Sequence, residues 1–259
     1  MAISVCFRDY GGGLLEWGYS KREPVSGPRL PTTYEKIKAS EDEIRERAAR
    51  RAGTAVRRWI MVRKLDYLLT LTYRDEVTDR KQAVSDLSRF MERVRKETAG
   101  VFSWVAVPEI QPLRLVRTGA AVWHWHIAVR GFQNVRLLRR LWLGVVGAGN
   151  IDVRAPRDGK GARWGRLRLA YYLSKYIFKC AQETESGGHR YFRSRDGEEC
   201  DVVRVLVDRV SSVGAWILDL VTVSGLRVRQ TFEAAFGGWG ATWESQRKGF
   251  NPRIAAALA

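Results

Sequence analysis

Two of the three histidines in this 259-residue chain stand two positions apart, in Trp123-His124-Trp125-His126-Ile127. On a β-strand such residues project from the same side, so both imidazoles enter one space while Trp123, Trp125 and Ile127 pack the other. Strands carry histidine pairs for structure as well as for chelation, so the pair alone leaves both uses open. A third ligand is available in Val105-Ala106-Val107-Pro108-Glu109-Ile110, where Glu109 lies beside the histidines if the two strands pair. Two imidazoles and one carboxylate leave coordination positions open for a phosphate oxygen and water. Mg²⁺ prefers oxygen ligands and Mn²⁺ tolerates nitrogen, so the expected cofactor is a divalent ion, Mg²⁺ or Mn²⁺.

The second stretch with chemical content is Tyr171-Tyr172-Leu173-Ser174-Lys175-Tyr176-Ile177-Phe178-Lys179. Its apolar spacing predicts a helix in which Tyr172, Lys175, Tyr176 and Lys179 share one face and Leu169, Leu173, Ile177 and Cys180 share the buried one. Aromatic residues at this spacing fill cores more often than they react. If they react, Tyr172 and Tyr176 are nucleophiles one helical turn apart, and neighbouring ammonium groups and a metal ion favour the phenolate. Tyr171 points off this face and is assigned to packing.

The elements that must position these residues follow from periodicity. Ser40 caps a helix with Glu43 closing a capping box, and Glu41/Arg45 and Glu46/Arg50 form i, i+4 pairs. Residues 66–74 alternate as a strand, 79–97 repeat as a helix, and 102–110 and 119–131 read as two further strands. Asn134 caps the helix that follows, 150–154 is a short strand, and the tyrosine helix closes the set. The order β-α-β-β-α-β plus a helix predicts an α+β fold, an antiparallel sheet with helices on one face, ferredoxin-like (also termed RRM-like). Residues 1–60 are read as an irregular N-terminal arm, broken by Gly11 to Gly13 and by Pro24, Pro28 and Pro31, followed by the basic helix. Residues 61–185 form the central domain, and 186–259 a β-rich C-terminal extension in which Ser224-Gly225 turns a hairpin and Arg227 and Arg229 are available to phosphate.

Charge narrows the partner. With 45 Lys plus Arg against 28 Asp plus Glu, the formal net charge is +17, which attracts polyanions and makes nucleic acid the leading partner. No run of about 18 apolar residues exists, which excludes a membrane span. Three scattered cysteines, Cys6, Cys180 and Cys200, and the absence of a secretory leader point to a reducing cytoplasm. Residues 157–165 are glycine-rich but lack the order of a phosphate-binding P-loop, so no helicase motor is visible. Trp164, Trp239 and Trp243 are candidates for stacking on unpaired bases.

A Leu-Thr-Leu-Thr-Tyr-Arg strand (69–74), a His-x-His strand (124–126) and a Tyr-x-x-Lys-Tyr-x-x-Lys helix (172–179), in that order, resemble the three motifs of the rolling-circle replication initiators of the HUH endonuclease superfamily. The two-tyrosine phage type is the nearest likeness, and it spans roughly residues 66–180. The resemblance implies that Glu109, His124 and His126 hold the metal, that Tyr172 and Tyr176 are first and second nucleophile, and that Lys175 steadies charge at phosphorus. It further implies that Thr70, Thr72 and Arg74 of the first motif are structural or contact DNA; Lys179 is assigned to DNA contact with them. The expected activity is nicking of single-stranded DNA, or of an origin hairpin, through a 5′-phosphotyrosine link that is later rejoined. A host helicase and polymerase are the expected partners, in the cytoplasm of a bacterial host cell. The alternatives are a non-catalytic DNA-binding regulator of replication, or a transposase or relaxase with the same chemistry.

Overall fold

The computed structural model describes residues 2–10, 14–22, 40–98, 102–155, 162–179, 188–195, 200, 202–207, 226–234 and 238–245; for the last two segments only the backbone course is described. In chain order the elements begin β1 (Ala2–Asp9), β2 (Leu14–Arg22), α1 (Glu41–Val62), β3 (Tyr67–Tyr73), α2 (Arg80–Glu97) and β4 (Trp104–Ile110). They continue α3 (Pro112–Thr118), β5 (Trp123–Val129), α4 (Val135–Val146), β6 (Gly149–Arg154) and α5 (Ala162–Lys179). The last are β7 (Phe192–Arg193), β8 (Val202–Val207), β9 (Leu226–Ala234) and β10 (Gly238–Ser245). The chain divides into two compact units, one made of Met1–Lys36 with Glu198–Ala259 and the other of Ile37–Gly197.

The first unit is a five-stranded sheet in the order β8-β1-β2-β10-β9, with every neighbour antiparallel. Two expectations change here. The start of the chain, read as an irregular arm, forms β1 and β2, which flank the glycines at 11–13 and pair from Ala2↔Arg22 to Asp9↔Leu15. The glycines interrupt the strands without abolishing them, and the remaining partners, β8 and β10, lie some 200 residues away in sequence, beyond the reach of local patterning. The described C-terminal hairpin is β9 with β10; the turn expected at Ser224-Gly225, the prolines at 24, 28 and 31, and the side chains of Arg227, Arg229, Trp164, Trp239 and Trp243 lie outside the described residues.

The second unit is α+β. Its sheet runs β6-β3-β5-β4-β7, antiparallel throughout, and β3-α2-β4-β5-α4-β6 follows the ferredoxin-like order with α3 inserted between β4 and β5. Helices α2 and α4 bury one face, where Leu69, Leu71, Trp125 and Ile127 meet Leu87, Phe90, Leu138 and Trp142 in one core. Trp142 stands edge-on to Tyr73 and Phe90, at 5.2 and 5.5 Å between ring centres, and its indole N–H donates to the Thr72 carbonyl at 3.1 Å. Burying a large apolar side chain of this kind contributes roughly 1.5–3 kcal/mol, and here it also holds β3 in register.

Helices α1 and α5 pack against each other, and both reach β4 from the other face. The capping box of α1 is formed, with Ser40 Oγ accepting from Glu43 N–H and Glu43 Oε2 from Ser40 N–H, both at 3.2 Å. The expected Glu41/Arg45 and Glu46/Arg50 pairs are present at 3.3 and 2.7 Å. Ala49, Ala52, Gly53 and Val56 form the buried stripe that meets α5. A Cβ on Gly53 would lie 3.3 Å from the Phe178 ring, and Ser174 Oγ lies 3.1 Å from the Gly53 carbonyl, so the helices cross closely at this glycine. That crossing places the tyrosine face of α5 over the sheet.

Pro108 sits inside β4, opposite Trp125. The peptide groups of Trp104 bond to Ser194, away from β5, and Pro108, in phase with Trp104, turns its missing N–H to the same side. Strand β7 pairs only with Val105 and Ala106, so at Pro108 β4 has become an edge strand, the place where proline is tolerated.

Candidate metal and tyrosine site

The register sets the site. Glu109 on β4 is the direct cross-strand partner of His124 on β5, and Thr72 and Asn150 continue that row across β3 and β6. One step along, His126 is flanked by Val107 and Thr70, and Thr70 by Asp152. All these side chains share the face opposite the α2/α4 core, because residues two apart on a strand repeat their direction.

The three expected ligands come together. His124 Nε2 lies 2.7 Å and His126 Nε2 2.9 Å from Glu109 Oε2, and one ligand atom from each residue falls within 4.8 Å of the others. All three are buried, at 5% exposure for Glu109 and His126 and 9% for His124. Burial pushes the Glu109 carboxyl up, but its contacts with His124 and then His126 outweigh that and hold it down to about 2. Burial pushes the His126 imidazole down, against the pull of Glu109, which keeps a ring nitrogen available as a ligand at neutral pH.

The donor set fits a divalent ion. A carboxylate only accepts, so in the metal-free arrangement each Nε2 carries the proton, and the Thr70 hydroxyl, 3.4 Å from His126 Nδ1, is the donor to that nitrogen. With Nε2 committed to a metal the proton belongs on Nδ1, and the same hydroxyl can accept it. Thr70, expected at DNA, is therefore placed to orient a ligand ring. Thr72 instead donates to the Asn150 carbonyl at 3.3 Å, and Arg74, just past the end of β3, is exposed.

Helix α5 brings the phenols to this group. The Tyr176 ring stacks on His126 with centres 4.2 Å apart and planes at 30°, while Tyr172 meets His126 edge-on at 5.8 Å. The Tyr176 hydroxyl donates to the Tyr172 oxygen at 2.6 Å. Burial and that hydrogen bond push the Tyr176 phenol well above its ordinary value, so Tyr176 is held as a neutral donor. Tyr172 is 38% exposed and offers its oxygen at the surface.

The two lysines separate. Lys179 Nζ lies 3.4 Å from Glu109 Oε1 and 5.1 Å from the centre of the Tyr176 ring. Lys175 is exposed, and no hydrogen bond or ion pair reaches it among the described residues. The buried face of α5 carries Leu169, Leu173 and Ile177 as expected, Cys180 lies outside the described residues, and Tyr171 is half-buried. His189 is a loop residue whose carbonyl accepts from Arg80.

Sequence patterning did not single out Arg154 or helix α3. The Arg154 guanidinium, held by Asp152 Oδ2 at 2.8 Å, is near enough for its charge to act on both phenols. Its signal is the alternation of Asn150, Asp152 and Arg154, which the β3/β6 register sets on the histidine face. Helix α3 is signalled only by Pro112 at its first turn and by the left-handed Gly119 (φ 73°) at its end.

Residues 66–181, from β3 to just past α5, match the model of a replication-associated protein family, ORF2. The match supports a replication-associated protein, and it covers the strands and the helix that build this site. No curated protein and no solved structure matches the chain. Among the described residues no helix is long and apolar enough to cross a membrane.

Proposed function

We propose that the chain is a rolling-circle replication initiator of the HUH endonuclease type, which nicks single-stranded DNA by tyrosine attack. The observation that carries this reading is the packing of the Tyr172 and Tyr176 rings on His126, itself joined to Glu109 and His124. The family match over 66–181 supports the same reading from the sequence side. A divalent ion, Mg²⁺ or Mn²⁺, on Glu109, His124 and His126 supplies charge neutralisation and a fixed position for the scissile phosphate.

Within that arrangement the chain's own groups have separable roles. Tyr172 is the attacking group, because its oxygen is exposed and accepts a hydrogen bond that stabilises the phenolate, whereas Tyr176 spends its proton on that bond. As the Tyr172 oxygen bonds to phosphorus, its proton leaves to solvent. The bond from phosphorus to the 3′ oxygen breaks, and that oxygen takes a proton to become a free hydroxyl. The 5′ phosphate stays on Tyr172. The link is again a phosphodiester, so attack by a 3′ hydroxyl reverses the step and rejoins strands without a nucleotide cofactor. Tyr176, one turn away, serves a second cleavage once Tyr172 is occupied. Lys179 and Arg154 bring positive charge to the phosphate and phenols, and Lys175 faces solvent, where a DNA backbone can meet it.

The test is a labelled single-stranded origin oligonucleotide incubated with the full chain and Mn²⁺, then separated under denaturing conditions. A covalent adduct that disappears in Tyr172→Phe, with DNA affinity retained, is the expected result. Binding without any adduct would favour a non-catalytic regulator.

A further inference from the structure

The cleft beside the metal group has no role in the chemistry above. It encloses about 510 Å³ between α3 and β5 and is lined by Gln111, Leu113, Arg114, Arg117, Thr118 and His124. This volume falls in the range of roughly 300–1,000 Å³ usual for small-ligand sites. His124 belongs both to the metal group and to the cleft wall, so a DNA strand with its scissile phosphate at Glu109, His124 and His126 must continue into the cleft or away from it.

Helix α3 is anchored at both ends of its reach. Gln111 N–H donates to the Val122 carbonyl at 2.9 Å, and the Arg114 guanidinium donates to the carbonyls of Tyr73 and Arg74, at 3.1 and 2.7 Å, with Glu76 at 4.0 Å. What it then presents is not used within the unit. Leu113 is 80% and Val116 85% exposed, and among the described residues no hydrogen bond or ion pair reaches the Gln111 amide or the Arg117 guanidinium. An apolar side chain, an amide that both donates and accepts, and an uncommitted cation match the three parts of a nucleotide: base face, base edge and phosphate.

Resting on the nicking reading above, we infer that the α3 cleft binds the nucleotide next to the scissile phosphate and reads its base. Leu113 lies against the base, Gln111 reads its edge, and Arg117 pairs with the adjoining phosphate. Glutamine matches the donor and acceptor of adenine best, so the cleft favours adenine at that position. The charge of Arg117 adds affinity without sequence preference.

The full-length protein with Mn²⁺ is offered a random pool of single-stranded oligonucleotides, and those captured covalently are sequenced. Each base within three positions of the nick is then replaced singly, and kcat/KM is measured for wild type, Gln111→Ala, Leu113→Ser and Arg117→Ala, with Mn²⁺ binding as the check that each variant folds. The expected result is one flanking position at which replacing adenine lowers wild-type kcat/KM about tenfold or more. Gln111→Ala abolishes that preference there alone, and Arg117→Ala weakens all oligonucleotides alike and lowers the salt slope by about one. Base preferences unchanged in Gln111→Ala and Leu113→Ser would overturn the inference while leaving nicking intact. A wild-type protein that captures no oligonucleotide would overturn the nicking reading and this inference with it.

Discussion

Replacing Thr70 by valine separates the metal site from catalysis. The Thr70 hydroxyl faces His126 Nδ1 at 3.4 Å and is, among the described residues, the group that orients that ring from behind. Valine keeps the β-branched shape in a half-buried strand position, so the fold should be nearly unaffected. Loss of a hydrogen-bond partner behind a ligating imidazole typically weakens metal binding about 10- to 100-fold. The contact is long for a hydrogen bond, which places the expected loss at the low end, about tenfold or roughly 1.4 kcal/mol. Mn²⁺ titration followed by electron paramagnetic resonance reads this without DNA or turnover. Thr72→Val is the control, since its hydroxyl bonds to the Asn150 carbonyl and to neither histidine. Equal Mn²⁺ affinity in Thr70→Val and wild type, or an equal loss in Thr72→Val, would refute the reasoning.

Three further outcomes are expected. Tyr176→Phe removes the donor to Tyr172; a hydrogen bond to a charged oxygen is worth about 1.5–3 kcal/mol, so first-turnover cleavage should fall by about 10- to 150-fold, measured by single-turnover gel assay, with the adduct still on Tyr172. At Gly53, leucine should force α1 from α5 and cost about 1–3 kcal/mol in denaturant unfolding together with activity, whereas alanine, 3.3 Å from a half-exposed ring, should be nearly neutral. Glu109, ordinarily near 4.5, is held down to about 2. A depressed carboxyl contributes stability that is present above about pH 4.5 and lost as pH falls toward 2, so thermal melts should show this acid loss in wild type and a flatter response in Glu109→Gln.

Much of the site was legible because its residues obey short periods. His124 and His126 are two apart on a strand, Glu109 is reached by one antiparallel pairing, and Tyr172 and Tyr176 are four apart on a helix. Each rule acts locally, so the linear text carries it. Lys175 and Lys179 show where this stops: both share the tyrosine face by spacing, but Lys179, two turns on and nearly in line with Tyr172, is the one that reaches Glu109. Helix α3 escaped notice because none of its residues is buried, leaving no apolar period to read. Strands β1 and β2 escaped because their sheet is completed by β8, β9 and β10 at the far end of the chain, and pairing over such distances leaves no local mark.

The central claim is that the metal group and Tyr172 form one nicking site. Mass spectrometry of proteolytic peptides, after reaction of the full chain with single-stranded origin DNA and Mn²⁺, tests it most directly. The account predicts nucleotide attached to Tyr172, lost on chelation and in the His124→Ala, His126→Ala double variant. Nucleotide on a residue outside α5, or an adduct formed equally well with chelator present, would contradict it.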